Sequence, residues 1–258
     1  HPFPNSIGAI AVDVAGRVAL VTGGGTGLGR ATALELAGAG VSVAVNYSRS
    51  QGSAEAVVQQ VAKSGGRALA VQADISESSS VGAMISQVES GLGPIDILVN
   101  NAGTTHYLPA VDLAGVTAEH WDNIFGVNVF GAFLCTQAVV EGMRARGVGR
   151  ILNVASNSVY TAAGSSIPYV VSKAAVVSLT QTLARALAPE VNVNALAPGW
   201  MLTEWVDRHL PPDLAESLRS GDVTVVPVED VARSALELIT NDSITGQVVV
   251  IDRGEMWE

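Results

Sequence analysis

The sequence predicts an α/β fold in which one parallel sheet is covered by helices on both faces. Short apolar runs rich in β-branched residues alternate with longer stretches of helical periodicity along the chain. Each run is apolar on both faces, as is typical of strands buried between two helix layers. The runs are Val18–Val21, Val41–Val45, Ala68–Val71, Ile95–Val99, Ile151–Val154, Val191–Leu196 and Val248–Ile251.

The stretches between the runs carry apolar residues three and four positions apart, which predicts amphipathic helices. The clearest stripes are Val57-Val58-Val61, Val81-Met84-Ile85-Val88 and Val228-Val231-Ala232-Ala235-Ile239. Strand and helix alternate without a linker, so we expect a single-domain, Rossmann-type, doubly wound sheet of about seven strands flanked by helices. The predicted domain spans residues 15–258. Residues 1–14 are assigned to an N-terminal tail whose opening is typical of a tag remnant.

Composition excludes several classes of partner. The net charge of −10 argues against nucleic acid or an anionic membrane surface. No apolar run approaches the roughly 20 residues of a membrane span. The single Cys135 rules out an internal disulfide and predicts a reducing, cytoplasmic location. The sequence contains no cluster of metal-ligating residues, so no metal site is predicted.

A glycine-rich loop follows the first predicted strand. It reads Thr22-Gly23-Gly24-Gly25-Thr26-Gly27-Leu28-Gly29 and leads into a helical pattern. Glycines let a pyrophosphate approach the backbone, and the N-terminus of a helix offers free N–H groups and a positive dipole end. Strand, loop and helix in this order predict a dinucleotide site.

The second strand ends without the carboxylate that would hold the adenosine ribose of NAD. Instead it continues as Asn46-Tyr47-Ser48-Arg49-Ser50. Arg49 with its neighbouring serines could hold a 2′-phosphate, which favours NADP(H) and leaves NAD(H) open.

Candidate catalytic residues follow the fifth strand. Tyr169 and Lys173 are four residues apart on a predicted helix, so both side chains can reach one pocket. A nearby ammonium lowers the pKa of a phenol, so we expect Lys173 to lower that of Tyr169. Ser156 ends the strand and could hydrogen-bond a substrate oxygen. Asn128 lies within an apolar helix stripe, which predicts an inward hydrogen bond, either structural or functional.

Together these residues resemble the short-chain dehydrogenase/reductase family over nearly the whole chain. Tyr169-x-x-x-Lys173 matches the family's Tyr-x-x-x-Lys motif, and Ser156 and Asn128 stand where the family's catalytic serine and asparagine do. The glycine loop, Asn100-Asn101-Ala102-Gly103, Pro198-Gly199 with Thr203, and Asp74 between Ala73 and Ile75 match its cofactor segments. Two departures are Asp252-Arg253-Gly254 in place of Asp-Gly-Gly, which alters the C-terminal turn, and a short Asp207–Val228 stretch, which puts the substrate class in doubt.

The resemblance implies that Tyr169 transfers the proton, Lys173 binds the nicotinamide ribose, Ser156 holds the substrate oxygen and Asn128 anchors a water. It also implies a homotetramer or homodimer. We expect a ketone or 3-oxoacyl thioester reductase acting on a small-molecule substrate. Two alternatives stay open: a sugar, polyol or alcohol dehydrogenase working oxidatively, and a non-catalytic dinucleotide sensor.

Overall fold

The computed structural model describes residues 12–257, and its centre is one sheet of seven parallel strands. The strand order is β3-β2-β1-β4-β5-β6-β7. The strands are β1 Val18–Val21, β2 Ser42–Tyr47, β3 Ala68–Gln72, β4 Ile97–Asn100, β5 Gly149–Val154, β6 Val191–Pro198 and β7 Val248–Ile251. The predicted fold class is confirmed, and each predicted run contains or overlaps an observed strand.

Helices cover both faces of this sheet. They are α1 Gly27–Gly38, α2 Gln51–Lys63, α3 Ser78–Leu92, α4 Ala118–Phe125, α5 Ala132–Arg146, α6 Ser158–Thr161, α7 Ile167–Leu187, α8 Glu204–His209, α9 Pro212–Ser220 and α10 Val228–Ile239. A π-helical segment, Gly126–Gly131, joins α4 to α5. One buried apolar cluster packs α1, α2 and α10 on the sheet, and a second packs α3, α5 and α7 on it.

The order of the strands creates the site. β1 pairs with β2 on one side and with β4 on the other, so the chain reverses its direction of winding between these two neighbours. In doubly wound sheets a cleft opens at such a point, beyond the carboxyl ends of the strands. The loops after β1, β4, β5 and β6 therefore meet at one edge of the sheet.

The segment just before β1 is packed more tightly than the predicted tail suggests. Val14 is only 6% exposed and belongs to the apolar cluster on the α1 face. The Val12 amide donates to the Thr240 carbonyl at 2.7 Å. The predicted boundary between residues 14 and 15 therefore falls inside packed chain. The remainder of the predicted tail, residues 1–11, lies outside the described residues.

The helical run Ala118–Arg146 is long and apolar enough to meet the criterion for a membrane span, although no apolar run in the sequence predicted one. It is 29 residues long, and its most apolar window has a mean hydropathy of 1.5 with 44% of that window buried. By length and composition alone it could cross a membrane, a criterion that helices packed on a central sheet also meet. Here its inner residues Leu134, Cys135 and Val139 pack in the apolar cluster on the α3 face.

Candidate active site

The glycine loop is held by side chains from two neighbouring strand ends. Asn101, after β4, donates through Nδ2 to the carbonyls of Thr22 and Gly23 at 2.9 and 3.1 Å. Asn46, in β2, accepts from the Gly23 amide through Oδ1 at 3.2 Å. Asn46 is only 2% exposed, and its Nδ2 donates to the carbonyls of Val71 in β3 and of Ala73 directly after it. Both asparagines therefore fix the shape of the loop from beneath.

Close packing explains the glycines of this loop. A Cβ on Gly29 would lie 2.3 Å from the Gly23 carbonyl oxygen and 2.4 Å from Asn101 Nδ2. Gly23 and Gly27 have positive φ angles of +60° and +51°, which residues with a side chain rarely adopt. The loop fits a dinucleotide in a further respect. Thr26 precedes α1 but makes no side-chain capping bond, so its side chain leaves the first N–H groups of α1 to other acceptors.

A cleft of about 640 Å³ opens over this loop and over the carboxyl ends of the strands. Most of the predicted cofactor residues line it: Gly23, Thr26, Gly27, Leu28, Asn46, Ser48, Arg49, Ala73, Asp74, Ile75, Asn101, Ala102, Gly103, Tyr169, Lys173, Pro198, Gly199 and Thr203. The structure thus brings together segments that are up to 180 residues apart in sequence.

Four predicted cofactor residues do not line the cleft. Gly25 packs against the backbone of α2, where a Cβ would lie 3.0 Å from the Ala54 amide nitrogen. Gly29 lies beneath the loop. Tyr47 is 8% exposed and belongs to the apolar cluster on the α1 face. Ser50 is the residue before α2. These four residues lie outside the cleft lining, next to the loop or to the start of α2.

Tyr169 and Lys173 reach the cleft from α7. The helix begins where Ser166 Oγ accepts from the Tyr169 amide at 3.4 Å, with proline in the first turn. Lys173 is only 5% exposed, and its Nζ donates to the Val154 carbonyl at 2.7 Å. The same Nζ lies 5.7 Å from the centroid of the Tyr169 ring. The predicted pair is therefore close in space.

The balance of effects on these two pKa values differs from the sequence prediction. Burial raises the pKa of Tyr169 to about 12, and a hydrogen bond with Ser156 acts in the opposite direction. Burial also lowers the pKa of Lys173 to about 8. The sequence predicted that Lys173 lowers the pKa of Tyr169; in the structure burial has the largest effect on this pKa and raises it.

Ser156 and Asn128 lie on either side of this pair. Ser156, 8% exposed after β5, accepts from the Ser158 amide at 3.2 Å as well as bonding Tyr169. Asn128 lies in the π-helical segment, a distortion frequent at functional sites.

The Asn128 amide joins the loop after β4 to α7. Its Oδ1 accepts from the Thr104 amide at 2.8 Å, and its Nδ2 donates to Ser172 Oγ at 3.0 Å. The amide thus has structural partners. A Cβ on Gly103 would lie 3.4 Å from Asn128 Oδ1 and 3.7 Å from Lys173 Nζ, so this glycine lies between the two polar groups.

Helix α8 brings aromatic residues next to Tyr169. The Trp205 ring lies 6.2 Å from the Tyr169 ring and 4.3 Å from the His209 ring, measured between centroids. Burial, followed by the charges of Arg208 and His106, lowers the pKa of His209. An aromatic wall therefore stands beside the candidate proton donor.

The C-terminal turn adds a carboxylate that the sequence did not reveal. Glu255 Oε2 accepts from Asn157 Nδ2 at 2.9 Å, across 98 positions of sequence. Both residues line the cleft. A Cβ on Gly199 would lie 3.1 Å from the same oxygen, so Gly199 permits the approach of this turn. No local pattern could have indicated it, because the contact depends on the pairing of β6 with β7.

Comparison with known proteins agrees with this geometry. The family model described as short chain dehydrogenase matches residues 17–212. The 3-oxoacyl-[acyl-carrier-protein] reductase of Synechocystis is 36% identical over 249 residues, covering 92% of this chain and 96% of that protein. A protein of Streptomyces violaceoruber, whose name proposes a ketoacyl reductase role in the granaticin polyketide synthase, is 39% identical over 243 residues, covering 92% and 95%. The crystal structure of a short-chain type dehydrogenase/reductase from Mycobacterium marinum has a TM-score of 0.84 at 34% identity, covering 94% and 96%.

The packing of the loop predicts opposite effects for two alanine substitutions in α1. Gly29→Ala should lower the free energy of unfolding by about 2 kcal/mol or more, since the new Cβ overlaps the Gly23 carbonyl. Gly38→Ala is the matched control, because a Cβ there meets nothing within 4 Å. Urea denaturation should give Gly38→Ala a stability equal to or above the wild type. Equal stability of both variants would contradict the packing argument.

The burial of Lys173 predicts an unusual titration. The protein has two lysines, Lys63 and Lys173, so Lys63→Arg leaves a single lysine signal. In ¹³Cε-labelled protein, NMR should show this signal titrating near pH 8, the value to which burial lowers the pKa of Lys173. Because the unfolded chain keeps its proton to higher pH, this residue's contribution to stability should rise between about pH 8 and 10.5. A titration midpoint at or above pH 10.5 would show that burial does not dominate the pKa of Lys173.

Proposed function

The chain belongs to the short-chain dehydrogenase family, and from this premise we propose that it reduces ketones or 3-oxoacyl thioesters with NADPH. It is an oxidoreductase that acts on CH–OH groups with a nicotinamide cofactor. The observation that carries the proposal is the placement of Tyr169, which bonds Ser156 and lies 5.7 Å from the Lys173 ammonium beside the glycine loop. The names of the 3-oxoacyl and ketoacyl reductases among its relatives support the same substrate class.

The proposed reaction assigns each polar side chain one task. Ser156 Oγ holds the substrate oxygen by a hydrogen bond, and Tyr169 Oη transfers its proton to that oxygen. The nicotinamide supplies the hydride. Lys173 stabilises the tyrosinate that develops and binds the nicotinamide ribose, and Asn128 anchors a water that leads to Lys173.

In reduction Tyr169 acts as a protonated phenol, the form that burial favours by raising its pKa to about 12. The same side chain would serve as the base in oxidation, so the reductive direction is proposed from the preference for NADPH. Lys173, whose ammonium is the cation next to the ring, makes loss of that proton easier when the substrate accepts it.

NADPH is proposed because of the chemistry at the end of β2. Ser48 and Arg49 line the adenosine end of the cleft and are exposed to solvent. The segment Asn46–Ser50 contains no carboxylate that would repel a 2′-phosphate. A guanidinium there can make charge-assisted hydrogen bonds to that phosphate.

Self-association is proposed from exposed apolar residues, and the location of the protein is proposed from its cysteine. Phe130, Phe133 and Val171 on the outer faces of the π-helical segment, α5 and α7 are partly exposed apolar residues. These faces support a homotetramer or homodimer.

Cys135 is buried and burial raises its pKa to about 12, which is compatible with a cytoplasmic protein that has no need of a disulfide.

Replacing the proton donor should abolish turnover. Tyr169→Phe should lower kcat with NADPH by roughly 10²- to 10⁴-fold, because the substrate oxygen receives no proton. Absorbance at 340 nm with acetoacetyl thioesters, β-ketoesters and simple ketones measures this. Tyr160→Phe is the control, since Tyr160 is 46% exposed and has no lysine one helical turn away. Activity only with sugars or polyols and NADP⁺ would replace reduction by the oxidative alternative; full activity of Tyr169→Phe would overturn the assignment.

Removing the guanidinium should change the cofactor preference. Arg49→Ala should raise the Kd for NADPH by roughly 10- to 100-fold, the range expected for loss of a charge-assisted bond, and leave that for NADH unchanged. Arg67→Ala removes the same charge on the chain before β3, where Arg67 donates to the Gly91 carbonyl. Fluorescence titration of both dinucleotides distinguishes the variants. A parallel loss for NADH would assign Arg49 to general charge attraction instead.

A further inference from the structure

A carboxylate from α8 contacts the N-terminus of α1 at the glycine loop. Glu204 Oε2 accepts from the Gly27 amide at 3.1 Å, across 177 positions of sequence. Gly27 is the first residue of α1 and lines the cleft. Its positive φ and absent side chain let Thr203 approach, since a Cβ on Gly27 would lie 3.3 Å from Thr203 Cβ. The two helix starts are therefore in direct contact.

Glu204 supplies a cap that α1 does not supply for itself. Thr26 makes no side-chain capping bond, and the first turn of α1 contains no acidic residue. An anion at such a position is favoured both by the unpaired N–H groups and by the helix dipole. Glu204 is itself the first residue of α8, where Thr203 Oγ1 accepts from the Trp205 amide at 3.4 Å. Its carboxylate is thus directed toward α1 by a short, capped helix.

A dinucleotide pyrophosphate would approach the same helix start, since Gly27 lines the cleft. The pyrophosphate is the anion that a glycine loop opening a helix binds, and it carries more charge than one carboxylate. Two anions cannot share the Gly27 amide without repulsion. We propose that Glu204 is a built-in competitor of the cofactor pyrophosphate, displaced from Gly27 on binding, so that it weakens dinucleotide affinity and speeds release.

Displacement would also act on the substrate side of the cleft. Helix α8 carries Trp205, whose ring lies 6.2 Å from that of Tyr169, and His209, which stacks on Trp205. The bond between Glu204 and Gly27 is therefore a tether between the cofactor loop and the aromatic wall. When a pyrophosphate displaces Glu204, this tether is released, so binding of the cofactor is coupled to the placement of Trp205. This inference rests on the proposed use of a nicotinamide cofactor.

The first test measures affinity. Glu204→Gln should lower the Kd of both NADPH and NADH by roughly three- to tenfold, because the competing charge is removed from the helix N-terminus. Glu204→Ala should tighten binding at least as much, since it removes the contact as well. Adenosine 2′-phosphate, which lacks a pyrophosphate, should bind all variants alike. Fluorescence and calorimetric titration measure these constants without turnover.

The control removes an equal charge from the same surface. Glu229, in the first turn of α10, borders the groove behind α1 that Glu204 also borders. Glu229→Gln should leave the Kd of both dinucleotides within twofold of the wild type. Equal tightening in Glu229→Gln and Glu204→Gln would reduce the effect to overall charge and overturn the competition.

Thermal stability distinguishes competition from a purely structural role. Without dinucleotide, Glu204→Gln should lower Tm by about 1–3 °C, the size expected for a weakened helix cap in a chain of this length. With saturating NADPH, the rise in Tm should be larger in the variant than in the wild type. A variant that is less stable and binds no more tightly overturns the proposal.

The two proposals can fail separately. Dinucleotide binding without carbonyl reduction would overturn the proposed reaction while the affinities still decide the role of Glu204. Reduction by an enzyme whose affinity is unchanged or weaker in Glu204→Gln would overturn the competition alone. A wild-type protein that binds neither dinucleotide would overturn both.

Discussion

The site depends on the parallel pairing of β1, β4, β5 and β6, which places four carboxyl ends at one edge of the sheet. Each of these ends carries a different chemical group. β1 leads into the glycine loop, β4 into Asn101, β5 into Ser156 and β6 into Gly199. A shift of one strand by one residue would turn its side chains to the opposite face. The register of the strands therefore decides which side chains reach the cleft.

Burial of Lys173 carries an energetic cost. An ammonium removed from water is unstable unless polar groups surround it, and here the Val154 carbonyl accepts a hydrogen bond from Lys173 Nζ at 2.7 Å. Its pKa still falls to about 8. The same exclusion of water raises the pKa of Tyr169 to about 12. Burial therefore shifts the pKa values of both members of the pair, and in each case it disfavours the charged form.

Helix α8 joins the two halves of the cleft. Its first residue, Glu204, contacts the cofactor loop, the next residue, Trp205, lies beside Tyr169, and His209 at its far end packs on Trp205. The segment from Asp207 to Val228 folds as the end of α8, as α9 and as the chain that leads to α10.

The sequence by itself determined the positions of the strands, the parallel class of their sheet, the glycine loop, and the Tyr169–Lys173 pair. These features are local: apolar runs mark strands, glycines mark a close approach, and four-residue spacing marks one helix face. Tertiary structure alone decided that burial dominates the Tyr169 pKa, that Tyr47 belongs to the apolar core and that Asn46 supports the loop. It also decided the contacts of Glu204 with Gly27 and of Glu255 with Asn157. Desolvation and such distant contacts depend on how elements pack, and no spacing along the chain encodes that packing.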